Sequence, residues 1–327
     1  MSALELRDVV VDYHRRGTTV RAVAGASVSV GAGQIVGLVG ESGCGKSTLA
    51  RAAVGLVPTS GGSVTFEGRP VTPLSRKARP RELARLQLVF QNPYSSLNPR
   101  RKVGAQLADA LATLDLVPRQ ARAARVRELC ELVGLPPSAV DRYPHEFSGG
   151  QRQRIAVART LAADPSVLVL DEPLASLDAS AQAQLANMLV DLARRLELGL
   201  LLISHDLAIV RHVADAVSVM YLGTIVEQGP TRAVWEEPLH PYSEKLIGAV
   251  PRADGSGVLP TALPGEVPDP TAPPPGCRFH PRCPYAFEPC GVDEPPLVPL
   301  GAGREAACWL RIGSKTSREE TTRRVVW

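Results

Sequence analysis

The stretch GESGCGKS at residues 40–47 places glycines, one lysine and one serine in the pattern G-x-x-x-x-G-K-S. It follows the apolar run IVGLV and precedes TLARAAVGLV, a strand–turn–helix context that gives the pattern meaning. Glycines let backbone N–H groups turn inward around phosphate oxygens, and the helix behind them adds its positive end. In that reading Gly40, Ser42, Gly43, Cys44, Gly45 and Thr48 surround a triphosphate. Lys46 supplies a point charge to the β and γ phosphates, and Ser47 offers a hydroxyl to Mg²⁺. The bland alternative is a glycine-rich turn with a chance lysine. A second stretch, VLVLDEP at 167–173, ends an apolar strand in two acids. Asp171 can hold Mg²⁺ through water, and Glu172 can polarise an attacking water. By itself such a strand end could equally carry two solvated carboxylates.

These groups need elements to hold them. Residues 1–36 alternate short apolar runs with turns, which predicts β-strands. Residues 37–54 read as strand, loop and helix. Residues 76–146 are rich in Arg, Ala and Leu at helical spacing, broken by prolines, and predict a helical region. VLVL at 167–170 and GLLLIS at 199–204 lack polar alternation, as strands buried on both faces of a parallel sheet do. Between them Leu185, Met188, Leu189, Leu192 and Leu196 mark one face of an amphipathic helix. Strand, helix and strand at this spacing imply a right-handed crossover.

The totals bound the rest. The chain has 327 residues, 44% apolar and 21% charged, which fits a soluble globular protein of one large domain plus an accessory region. A net charge of +4 gives no basic footprint for nucleic acid. MSALELRDVV does not read as a signal peptide, and no apolar run approaches a membrane span, so the expected compartment is the cytosol. Fourteen of the 29 prolines fall in 251–300, which predicts a boundary near 230–250 and a loop-rich extension with little regular structure. Its tail from about 312 is polar and expected to fray.

The stretch EFSGGQRQRIAVARTL at 146–161 narrows the class. It resembles the signature of ATP-binding cassette (ABC) ATPases, with Phe147 where LSGGQ has its leucine. Ser148, Gly149, Gly150 and Gln151 open a helix and form a second anion site. The resemblance implies that this site meets ATP held by a second ATPase domain, the two facing head to tail. It further implies adenine stacking by Tyr13 and a Mg²⁺- and water-reaching amide at Gln91, in VFQNPYSSLNPR. It gives Asp178 in LASLDAS a contact with the opposite subunit, and His205 in LLLISHDL a contact with the γ-phosphate. Taken alone, Tyr13 could be an exposed strand aromatic and His205 a strand-end histidine without a role. The resemblance covers roughly residues 4–250. It implies an α/β P-loop NTPase fold: a parallel-sheet core, an antiparallel β subdomain and a helical subdomain at about 92–160, followed by a Pro/Cys-rich extension over 251–327.

Finer details are similar to one branch, the ATPases of oligopeptide/dipeptide (and nickel) importers, and most to their second ATPase subunit. GLVGESGCGKST, YPHEFSGGQRQRIAVAR, SAQAQLANML, YLGTIVEQGP, HPYSEKLIGAVP and LPGEVPDPTAPPPGCRFHPRCPYAFEPC carry this likeness. It implies ATP and Mg²⁺, a paralogous second ATPase, two multi-span permeases, an extracytoplasmic solute-binding protein and a place on the cytoplasmic face of the membrane. It leaves the solute open, with peptides the default. The rival reading is a soluble ABC ATPase acting on ribosomes or nucleic acid. A single cassette without a charged heptad insertion between 48 and 146 argues against it, and the importer-like tail argues against an exporter.

The extension holds Cys277, Cys283, Cys290 and Cys308, spaced by six, seven and eighteen residues. These are not the C-x₂-C pairs of common zinc sites, and a cytosolic setting disfavours disulfides. Four thiolates could bind a [4Fe–4S] cluster, as the resemblance implies for some relatives. They could bind zinc, or pack as small hydrophobes. His280 lies among them as a structural residue.

Overall fold

The computed structural model describes residues 2–15, 18–75, 79–92, 96–251 and 265–313. The frayed end expected from about 312 lies almost wholly outside the described residues, as does part of the proline-rich stretch.

Two sheets share the chain. The strands are β1 (Ser2–Arg15), β2 (Thr18–Gly31), β3 (Ile35–Val39), β4 (Gly61–Phe66), β5 (Arg69–Pro70), β6 (Leu86–Val89), β7 (Val167–Asp171) and β8 (Gly199–Ile203). β9 (Ala216–Tyr221), β10 (Thr224–Pro230), β11 (Val298–Gly301) and β12 (Arg304–Ala306) follow. β2, β1, β4 and β5 form an antiparallel sheet in that order. The larger sheet runs β11-β12-β10-β9-β3-β8-β7-β6, parallel from β9 to β6 and antiparallel beyond β9.

The central strands are buried at every residue. Because side chains alternate faces along a strand, alternate residues enter different cores. Leu168, Leu170, Leu200 and Leu202 join a core with the helices Val103–Leu114, Arg122–Leu132 and Gly149–Leu161. Val167, Val169, Leu201 and Ile203 join the other, with the antiparallel sheet and the helix Lys46–Ala53. The unbroken apolar runs thus reflect two cores, one on each face.

Three features differ from the sequence expectations. β6 lies inside the stretch expected to be helical, because LQLV is a short apolar run that periodicity cannot assign. Leu196 is 43% exposed, since the helix Ala179–Leu196 outruns its core by a turn, whereas Leu185, Leu189 and Leu192 are buried. The extension is not merely loops: β12 pairs with β10 and carries β11, so it lengthens the main sheet. Most of its described prolines precede β11, outside any ladder, and Pro299 lies within that edge strand.

Candidate functional site

The phosphate loop springs from the C-terminal end of β3 and closes at the helix Lys46–Ala53. Gly45 adopts φ 107°, and a Cβ there would stand 2.2 Å from the Ala22 carbonyl oxygen, so glycine is required twice over. Lys46 is buried, and its Nζ donates to the carbonyls of Gly40 and Glu41, both at 2.8 Å. Cys44 is buried beneath the loop, and burial pushes its thiol pKa up.

The acids lie at the end of β7, which is separated from β3 by β8 in the sheet. The Ser47 hydroxyl donates to Asp171 Oδ1 at 2.7 Å. Asp171 is 3% exposed, and burial raises its pKa although the Ser47 hydrogen bond pulls the other way. A buried carboxylate and a hydroxyl in contact fit a hard, oxygen-seeking cation such as Mg²⁺.

Glu172 leaves the strand with φ 48°, a left-handed conformation rare for a non-glycine residue, while its N–H donates to the Ile203 carbonyl. The turn aims its carboxylate at two other predicted residues. Gln91 Nε2 donates to Glu172 Oε2 at 3.1 Å, and His205 Nδ1 lies 3.3 Å from the same oxygen. One carboxylate oxygen is therefore positioned by an amide beyond β6 and an imidazole beyond β8. A base held this way can take a proton from water.

Other predicted residues sit elsewhere. Ser148 caps the helix Gly149–Leu161: its hydroxyl accepts from Gln151 N at 3.3 Å, and Gln151 Oε1 accepts from Ser148 N at 3.1 Å. Asp178 caps the helix Ala179–Leu196 by accepting from Ala181 N at 2.9 Å. The two turns adjoin, since Gly149 faces Leu177 and Gly150 faces Ala181. Tyr13 is 40% exposed on β1 opposite Val20. Ser42 and Gly43 are exposed at the loop's rim, and Thr48 is partly buried in the following helix.

Sequence reasoning passed over one set of contacts. Arg282, in the 3₁₀ turn His280–Arg282 of the extension, forms an ion pair with Glu41 of the phosphate loop at 2.7 Å. The Tyr242 hydroxyl accepts the Glu41 N–H at 2.9 Å. Glu41 occupies a variable position of the loop pattern and Arg282 lies 241 residues away, so no local signal marked either.

The cysteine expectation gains no support from the structure. Among the described residues no group of three or more His, Cys, Asp or Glu side chains is arranged to hold a metal ion. The expected [4Fe–4S] or zinc site is therefore unsupported by this arrangement. Cys277 N donates to the Cys290 carbonyl, which joins the turns through backbone. Cys277 and Cys283 pack against the larger core, while Cys290 and Cys308 are buried. Burial pushes the Cys277 thiol up to about 11 and raises those of Cys283 and Cys308. All six cysteines are free of disulfides. The four in the extension are thus packed as small hydrophobes are.

Residues 23–175 match the sequence profile described as ABC transporter. Residues 226–290 match that described as oligopeptide/dipeptide transporter, C-terminal region. The chain is 49% identical over 308 residues to a Brucella abortus protein named as a peptide import ATP-binding protein, covering 93% of this chain and 92% of that one. It is 48% identical over 291 residues to the di/tripeptide transport ATP-binding protein DppF of Pseudomonas aeruginosa, covering 88% and 90%. Among solved structures, cbiO1 of Clostridium perfringens, part of an ABC transporter complex, aligns with TM-score 0.63 and 27% identity over 72% of this chain and 91% of that one. A dimeric ATP-binding cassette in a post-hydrolysis state with ADP and Pi aligns with TM-score 0.62, 22% identity, and 70% and 99% coverage, a likeness of fold.

Proposed function

The chain belongs to the ABC transporter family, in the branch bearing the oligopeptide/dipeptide transporter C-terminal region, and from that premise we propose that it hydrolyses ATP to drive peptide uptake through membrane partners. What supports the importer half of this reading is the second matched region, present in the same chain as a complete phosphate site. What supports the chemistry is the convergence of Gln91 and His205 on Glu172, the residue immediately after β7 and adjacent to Asp171.

The phosphate-loop amides and Lys46 bind and orient the triphosphate, with Tyr13 stacking on adenine. Ser47 and Asp171 would hold Mg²⁺, assisted by Gln91, and the ion when bound spreads the negative charge of the β and γ phosphates. Glu172 accepts the proton of the attacking water at a carboxylate oxygen. Gln91 and His205 fix that oxygen, and His205 also reaches the γ-phosphate. Ser148–Gln151 and Asp178 face the phosphate loop of a second ATPase domain, a distinct paralogue. Nucleotide closes the pair and hydrolysis reopens it, biasing a two-state element.

No helix among the described residues is long and apolar enough to cross a membrane. Two multi-span permeases supply the pore, a solute-binding protein delivers the peptide, and this chain docks on the cytoplasmic side.

The test is ATP turnover and uptake of a labelled di- or tripeptide by the assembled complex in proteoliposomes. Glu172→Gln is expected to lower turnover by about a hundredfold or more, the scale of a lost general base, and to abolish uptake. Turnover within about threefold of wild type would remove Glu172 from the mechanism. Uptake that continues without turnover would remove the coupling.

A further inference from the structure

Glu41 is gripped on three sides. Its carbonyl accepts from Lys46 Nζ at 2.8 Å, so this residue backs the lysine of the site. Its N–H is taken by Tyr242 of the helix Pro241–Gly248. Its carboxylate receives a guanidinium fork, with Arg282 Nη1 donating to Oε2 at 2.7 Å and Nη2 to Oε1 at 3.0 Å. Two parallel charge-assisted bonds are the strong and directional form of an ion pair. The Arg282 side chain is 4% exposed and that of Glu41 20%, so water screens the pair little.

The platform behind this fork is rigid. Arg282 Nη1 also donates to the Tyr221 hydroxyl at 3.3 Å. The rings of Tyr221 and Tyr242 lie 4.6 Å apart, and Phe279 stands 5.3 Å from each. All three aromatics are fully buried. Tyr221 ends a core strand, Tyr242 opens a helix and Phe279 belongs to the cysteine-bearing turn. The extension therefore meets the phosphate loop through a packed aromatic wedge.

We propose that Arg282 is a positioning residue for nucleotide binding: the C-terminal extension clamps Glu41 and so sets the affinity of the phosphate loop for ATP. This rests on the reading of residues 40–47 as an ATP site. Two physical effects act together. The fork fixes the start of the loop, so that its amides face the phosphates before ligand arrives. It also neutralises a carboxylate that would otherwise repel a polyanion from the same loop. The bonding to Glu41 raises the pKa of Arg282 and keeps it charged. Neither effect touches Glu172, Gln91 or His205, so the clamp acts on binding rather than on hydrolysis of bound ATP.

The experiment uses the full-length chain, trinitrophenyl-ATP fluorescence for affinity, and thermal melting to confirm folding. Arg282→Ala is expected to weaken binding about tenfold or more. Arg282→Lys recovers part of this, since charge remains but the fork does not. Adding Glu41→Gln to Arg282→Ala also recovers part, because the repelling charge is gone. Tyr242→Phe keeps the ring but loses the acceptor, and weakens binding about threefold. In the assembled complex Arg282→Ala is expected to raise the ATP KM and leave saturating kcat within about threefold. A folded Arg282→Ala chain that binds as wild type overturns the clamp. So does a fall in kcat with KM unchanged, which marks a general structural defect. If Arg282→Ala does not fold, wild-type affinity in both Arg282→Lys and Tyr242→Phe overturns it. A wild-type chain without nucleotide affinity overturns the phosphate-site reading itself, a different failure.

Discussion

The phosphate loop and the cysteine-bearing turn are both runs of chemically capable residues, and they behave in opposite ways. At the loop, Lys46 lies buried with its Nζ on two loop carbonyls, and Ser47 donates to the buried Asp171 of β7, although a lysine and an aspartate are poorly suited to a core. Burying such groups is costly unless they are paired, so their burial marks a site built for a ligand. In the turn Cys277, Cys283 and Cys290, and beyond β12 Cys308, are also buried or half-buried, but a thiol is comfortable there. The lesson is that clustering signals function when the residue type resists burial, and signals little when it does not. The turn's importance lies with Arg282, the neighbour of Cys283, which sends its charge into the loop.

Three experiments sharpen or break this contrast. The largest effect is expected at Asp171. Burial lifts its folded-state pKa above the unfolded value, so ionisation opposes folding. The stability it contributes is present below the unfolded pKa and is lost as pH rises through the folded one. Asp171→Asn is therefore expected to raise the melting temperature by a few degrees while lowering Mg²⁺-dependent turnover by about 10- to 100-fold. A variant that loses both stability and activity would mean that Asp171 is chiefly structural.

An intermediate effect belongs to His240, which joins the two regions. It is wholly buried, its ring Nδ1 accepts from Tyr242 N, and its backbone N–H donates to Glu227 Oε2. Burial drives its pKa from 6.5 down to about 3. Its folded-state pKa is depressed, so the neutral ring stabilises the fold above pH 6.5, and that stability is lost as pH falls toward 3. Between those limits stability is expected to fall by about 1 kcal/mol per pH unit. His240→Asn, which keeps an acceptor for Tyr242 N, is expected to flatten the melting profile between pH 7 and 5. An unchanged acid slope would assign the effect to other groups.

The smallest effect is expected at the cysteines. Cys290→Ala and Cys308→Ala delete one buried sulfur each, which costs about 1–2 kcal/mol of stability. Saturating ATP turnover is expected to stay within about twofold. A loss of more than tenfold in the folded variants would show that the thiols do more than pack.

Much of this was legible in the chain. GESGCGKS, VLVLDEP and EFSGGQRQ are local, because a loop that cradles phosphate must be contiguous and its glycines and lysine have few substitutes. The buried parallel strands were legible for a related reason, as only a strand covered on both faces can be wholly apolar. β6 was not, because a four-residue run with three apolar positions suits a strand or a helix equally. The β11–β12 hairpin was hidden by the prolines around it.

What the sequence determined by itself was the set of reactive groups and the order of the elements that carry them, since both depend on neighbours along the chain. Only the tertiary structure decided which of those groups meet. It set Gln91 and His205 on one oxygen of Glu172, turned the four extension cysteines toward packing, and brought Arg282 across 241 residues to Glu41. Such meetings depend on where the sheet and the aromatic wedge place distant backbone, and no local spacing encodes that.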